Sequence, residues 1–184
     1  MLRIFFFIAL ALGISSCSSY RPAQDDFHKS LVGPYVLDSG DRIRLIVFNQ
    51  EELNKEYTVD QSGYISVPLI GSVAARGKQT SELSKMIAQM LSNGYVRNPD
   101  VSVEIVQYRP FFIMGEVTTA GQYSYVTGMT VQTAVAIAGG FTPRAQQQTV
   151  DITRQLNGKI LTGAVNLTTP VRPGDTIYVR ERLF

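Results

Sequence analysis

The sequence predicts an α+β protein of two small mixed domains, each a sheet carrying one helix. Three observations predict it. Apolar residues alternate with period two, as in Ile43, Leu45, Val47 and again in Val101, Val103, Ile105. Helical spacing appears once in each half, over 83–91 and over 131–138. A turn ending in Gly-Asp launches an alternating strand twice, at Gly40-Asp41 and at Gly174-Asp175. The length of 184 residues suits one domain or two small ones. With 45% hydrophobic and 17% charged residues the chain can build a core, which excludes wholesale disorder.

The N-terminus reads as an address. Met1-Leu2-Arg3 precedes nine apolar residues, Ile4 to Leu12, and then Gly13-Ile14-Ser15-Ser16-Cys17. A basic start, a short apolar core and small residues make a secretory signal peptide over 1–16. Nine residues at ~1.5 Å each cover about half of a bilayer's hydrocarbon core, too little for a spanning helix. Ile14-Ser15-Ser16-Cys17 resembles the bacterial lipobox, in which cleavage precedes the Cys and the Cys is lipidated. A thiolate is a good nucleophile for alkylation, and several acyl chains anchor where one binds marginally. The alternative is an ordinary secretory signal with an incidental Cys, but the chain's sole Cys falls at the cleavage point. Ser18 resembles the residue that directs sorting to the outer membrane. Residues 17–33 show no apolar period and read as a lipidated tether, in which His28 is a solvated lone histidine.

The first folded unit is expected over 34–108. Asp38-Ser39-Gly40-Asp41 supplies turn chemistry, and Ile43, Leu45 and Val47 make a half-buried strand. Glu56–Asp60 and Tyr64–Val67 flank Asp60-Gln61-Ser62-Gly63 and predict a hairpin, with Gly63 at positive φ and Pro68 ending the pairing. Leu69-Ile70-Gly71-Ser72-Val73 is a further short apolar piece. Leu83, Met86, Ile87, Met90 and Leu91 form a single apolar stripe on a helix, with Thr80 as N-cap and Gly94 at the C-terminal end. The polar face is not lysine-rich, so the stripe covers a sheet rather than a membrane. A strand over Val101–Val106 follows Pro99.

The second unit is expected over 109–184. Phe111–Val117 is a strand, Ala120-Gly121 a turn, and Gln122–Val126 the returning strand. Thr130 caps a helix with Val131, Ala134, Val135 and Ala138 on one face, and Gly139-Gly140 stops it. Val150–Arg154 and Lys159–Leu161 flank Asn157-Gly158, a strong hairpin signal. Arg172-Pro173-Gly174-Asp175 then leads into Ile177 and Val179. Asp41 and Asp175 read as turn formers whose carboxylates accept backbone N–H bonds. The competing reading, a carboxylate pair for acid/base work, has nothing to set its spacing.

Composition narrows the function. The formal charge is +2, and loss of Arg3 with the leader leaves +1 without a basic stripe, so nucleic acid is not a partner. One Cys and one His give neither an internal disulfide nor the usual zinc ligand set. No catalytic residue, cofactor or metal is expected, and the protein reads as a non-enzyme.

A resemblance adds to this. Tyr35-x-Leu37-x-x-Gly40-Asp41 opens a pattern that continues as Val59-Asp60-x-x-Gly63-x-Ile65-x-x-Pro68-Leu69-Ile70-Gly71-x-Val73. With Gly77-x-x-Thr80 and Asn98-Pro99-x-Val101 it resembles the export domain of the outer-membrane polysaccharide export lipoproteins. Gly115-Glu116-Val117-x-x-x-Gly121-x-Tyr123, Ala138-Gly139-Gly140-Phe141 and Arg154 resemble the soluble-ligand-binding β-grasp domain that follows it. The resemblance implies a periplasmic homo-oligomeric ring, lipid-anchored to the outer membrane of a Gram-negative bacterium. It also implies an inner-membrane polysaccharide co-polymerase as partner and capsule or exopolysaccharide as the transported polymer. Longer members continue into further β-grasp repeats and a C-terminal membrane helix, so a short form is expected here. A C-terminal barrel strand is rejected. Counting back by two from Phe184 puts Arg182 and Arg180 on the lipid face, where each costs up to ~2–4 kcal/mol near the midplane. Either a separate outer-membrane β-barrel then completes the path, or the ring only couples to one. The alternative function is a monomeric periplasmic glycan- or small-ligand-binding lipoprotein.

Overall fold

The computed structural model describes residues 33–156 and 158–183. The leader, Cys17, Ser18 and His28 lie outside the described residues, as does Asn157.

The first domain contains β1 (Arg42–Val47), a single 3-10 turn (Glu51–Leu53), β2 (Lys55–Thr58), β3 (Tyr64–Val67), β4 (Gly71–Ala74), α1 (Thr80–Ser92) and β5 (Val101–Gln107). β1 is the centre of an antiparallel sheet ordered β2-β1-β5. Its alternation is the expected one: Ile43, Leu45 and Val47 are buried while Arg42 and Arg44 face solvent. The hairpin predicted across Asp60–Gly63 does not form. The turn itself is present, with Asp60 N–H donating to the Tyr64 carbonyl at 2.8 Å. Its two arms then part, because β2 pairs with β1 and β3 pairs with β4. Gly63 takes the positive φ expected of it. Its φ is +91°, and its carbonyl accepts the N–H groups of Ala75 and Arg76, both at 2.9 Å, just beyond β4, which commits this end of β3 to β4. The real hairpin is β3–β4, which reverses through Pro68, Leu69 and Ile70.

α1 buries Leu83, Ile87 and Leu91 completely, with Met86 and Met90 flanking them against the same core. Each fully buried aliphatic side chain contributes about 1.5–3 kcal/mol, so this stripe holds the helix on its sheet. The cap differs from expectation. Thr80 is the first helical residue, and Gln79 is the N-cap. Glu82 reaches back to accept the Gln79 N–H at 2.8 Å, a capping box that a threonine-first reading overlooks. Gly94, with φ +97°, follows the C-cap Asn93.

The second domain contains β6 (Phe111–Gly115), β7 (Gly121–Tyr123), α2 (Val131–Ile137), β8 (Thr149–Leu156), β9 (Lys159–Asn166) and β10 (Thr176–Val179). The sheet order is β7-β6-β10-β8-β9, with β6 and β10 parallel at the centre and the other pairs antiparallel. The last strand in sequence thus slots between the first and the third, a β-grasp arrangement. Thr130 caps α2 by accepting the Thr133 N–H at 3.4 Å. β8 and β9 stay in register up to Leu156 opposite Lys159, as the Asn157-Gly158 signal requires. Each domain has its own core. Leu37, Ile43, Leu45, Ile65 and Leu83 belong to the first, and Phe111, Ile113, Val131, Ile152 and Ile177 to the second.

Candidate functional site

The two Gly-Asp turns are built alike. In Asp38-Ser39-Gly40-Asp41 and in Arg172-Pro173-Gly174-Asp175, the fourth residue's N–H donates to the first residue's carbonyl at 3.1 Å. The first residue's N–H in turn donates to the aspartate carboxylate, at 2.9 Å for Asp41 and 2.7 Å for Asp175. The third position needs positive φ, and glycine supplies it: +91° at Gly40 and +84° at Gly174. Both aspartates are buried, at 0% and 1% exposure. A buried carboxylate is tolerated only when paired and hydrogen-bonded. Here the pairing differs. Arg154 of β8 grips Asp175 with two nitrogens, Nε at 2.8 Å and Nη2 at 2.6 Å. Asp41 is held by Arg109, in the connection between β5 and β6. The Arg109 backbone N–H donates to it at 2.8 Å and Nη1 at 3.3 Å, and the Tyr35 hydroxyl donates at 2.5 Å.

Arg109 is therefore the hinge pin of the molecule. Its Nη1 also donates to the Tyr35 oxygen at 2.9 Å, and Nη2 lies 3.6 Å from Asp38. On its other side it presses on the second domain's turn: a Cβ added at Gly174 would sit 2.6 Å from Arg109 Nε. Around it an aromatic chain crosses from one domain to the other. Tyr35 meets Tyr108 edge-on with centroids 4.9 Å apart, and Tyr108 meets Tyr125 at 5.3 Å. Burial pushes the Tyr35 phenol far above its ordinary range, the neighbouring Arg109 charge opposing it, and burial raises Tyr125 as well.

A cleft of about 410 Å³ opens between the domains beside this junction. Four guanidiniums line it: Arg76, Arg109, Arg154 and Arg172. Asp38 is shared by Arg76 at 3.0 Å and Arg109 at 3.6 Å. Arg172 is half-buried, and its side chain donates to the Gly33 carbonyl at 3.1 Å. Among the described residues no carboxylate lies within ion-pair distance of it. Burial pulls the Arg172 guanidinium below its ordinary value, and the charge of Arg154 adds to the fall.

Of the positions singled out in the sequence, Gly40, Asp41, Gly174 and Asp175 thus meet on either side of Arg109. The others lie elsewhere. The Asp60 carboxylate accepts the Tyr64 N–H at 2.9 Å, next to Gly63, while Pro68 and Gly71 bound the β3–β4 reversal. Gly115 is at the opposite end of the second sheet, where a side chain would run into the Val179 carbonyl. Gly121 opens β7, and Gly139 and Gly140 end α2 with positive φ, the Gly140 carbonyl accepting the Thr118 N–H at 3.0 Å. Sequence reasoning missed Arg109 and Arg172. The echo between the two turns was the available signal, since Arg172 stands where Asp38 stands in the first. Both aspartates are taken up by guanidinium and backbone donors, the chemistry of a structural clasp.

Fold and junction together define a two-domain scaffold whose buried charges serve its own architecture. Residues 30–106 match the polysaccharide biosynthesis/export protein family and residues 110–164 match the SLBB domain. The exopolysaccharide production protein ExoF of Rhizobium meliloti (strain 1021) is 42% identical over 87 residues, covering 46% of this chain and 21% of the relative. The polysialic acid transport protein KpsD of Escherichia coli is 26% identical over 160 residues, covering 80% of this chain and 28% of the relative. The chain spans less than a third of the length of either relative. It belongs to the polysaccharide export family, with an export domain followed by an SLBB domain. No helix among the described residues is long and apolar enough to cross a membrane.

Proposed function

We propose that this protein is a periplasmic ring component of a capsule or exopolysaccharide export machine, anchored to the outer membrane by lipid on Cys17. The observation that carries the reading is the tandem order of the two family domains over most of the chain. Identical subunits close into a ring through head-to-tail contacts. The outer face of the second sheet offers one such surface, with Phe112 and Met114 on β6 and Tyr178 on β10 all exposed. Polymer made by an inner-membrane co-polymerase passes through the lumen towards an outer-membrane exit, a separate β-barrel. Conduction is passive and non-enzymatic. Many weak polar contacts suit it, because tight binding would stall the chain.

The domain limits proposed are 34–108 and 109–184. Removing the gene should abolish secreted polymer while cell-associated polymer accumulates. A Cys17→Ser variant should leave the membrane fraction and fail to restore secretion. Undiminished secretion in the deletion strain would refute the export role. Micromolar oligosaccharide affinity in a strictly monomeric protein would replace it with a ligand-binding lipoprotein.

A further inference from the structure

We propose that the cleft between the two domains binds a carboxylate-bearing sugar unit, with Arg172 as the group that receives the acid. This rests on the polymer-export reading and names the sugar class. The charge inventory of the cleft carries it. Three aspartates lie in or under its walls, and all three are engaged by guanidiniums other than Arg172. Arg154 takes Asp175, Arg109 takes Asp41, and Arg76 shares Asp38 with Arg109. Among the described residues the fourth guanidinium, Arg172, is met only by the Gly33 backbone carbonyl. A half-buried guanidinium with no carboxylate in ion-pair contact among the described residues is costly, and an incoming carboxylate would relieve that cost.

The surroundings fit a sugar rather than a bare ion. The cleft's volume of about 410 Å³ falls within the range of small-molecule sites. The exposed Gln155 amide on its wall can hydrogen-bond ring hydroxyls. Arg109 bonds the first Gly-Asp turn and lies against the second, so both turns on which the cleft is built meet at one residue. Arg172 belongs to the second turn through its backbone, and among the described residues its side chain makes one hydrogen bond, to the Gly33 carbonyl.

The test is calorimetric titration of the detergent-extracted full chain with a short glucuronate oligomer, a glucose oligomer of the same length, and inorganic phosphate. The glucuronate oligomer should bind weakly and lose affinity as salt rises, and the glucose oligomer should bind at least about tenfold more weakly. Arg172→Gln should weaken glucuronate binding about tenfold with an unchanged melting temperature, and Arg172→Lys should recover part of the loss. Arg44→Gln, on the exposed face of β1, should leave binding unchanged. Equal binding of the two oligomers would overturn the proposal. So would an unaffected Arg172→Gln variant, or phosphate displacing the sugar at equal concentration. Absence of sugar binding together with lost secretion in the deletion strain would sink this site and leave the export reading standing.

Discussion

Two turns in this molecule share residues, hydrogen bonds and strand-launching role, yet their buried charges are met in different ways. Asp175 finds its cation inside its own domain, on β8, the strand that pairs with β10. Asp41 finds its cation on the connection leading out of its domain. A turn motif therefore specifies only the backbone and the buried carboxylate. The source of the guanidinium decides whether that carboxylate stabilises one domain or ties two together.

Breaking the internal pair should have the largest effect. Asp175→Asn or Arg154→Met alone leaves one buried charge without its partner and should cost about 3–5 kcal/mol in urea unfolding. Replacing both at once should cost less than either alone. Asp41→Asn should cost less, about 2–3 kcal/mol, because the Arg109 side chain keeps 20% exposure and is partly solvated. Its signature should be qualitative: one calorimetric transition splitting into two as the domains uncouple. A single transition in Asp41→Asn would mean that the junction is not the coupling element.

The glycines sharpen the same contrast. Gly174→Ala should destabilise by about 1–3 kcal/mol, combining positive-φ strain with displacement of Arg109. Gly40→Ala meets only an ordinary contact, with Arg109 Cβ at 3.5 Å, and should cost about 1 kcal/mol. Tyr35 adds a pH test of the junction. Its folded phenol holds its proton above the ordinary value, so its contribution is fully present below about pH 10 and is lost as pH rises towards the folded value. Denaturation midpoints should fall above about pH 10, and fall less in Tyr35→Phe. The smallest effect is expected for Arg144→Ala. That residue pairs with Glu181 on an open surface, so the midpoint should not move.

Much of this architecture was legible in residue patterns. Period-two alternation found β1 and β5, the stripe from Leu83 to Leu91 found α1, and Asn157-Gly158 found the β8–β9 hairpin. Strand pairing was less legible. Local turn chemistry at Asp60–Gly63 pointed to a β2–β3 hairpin, but β2 pairs with β1, β3 pairs with β4, and the Gly63 carbonyl is taken by Ala75 and Arg76. The candidate site was half legible. Gly40-Asp41 and Gly174-Asp175 repeat visibly, whereas Arg109 is a single charge in a connecting segment, with no periodicity to mark it. Its role depends on two turns 134 residues apart in sequence being brought to either side of it.

Light scattering of the full chain in detergent tests the account most directly. A conduit built from this protein must give the mass of a closed ring of identical subunits, stable on dilution. A particle with the mass of one subunit at every concentration would contradict it.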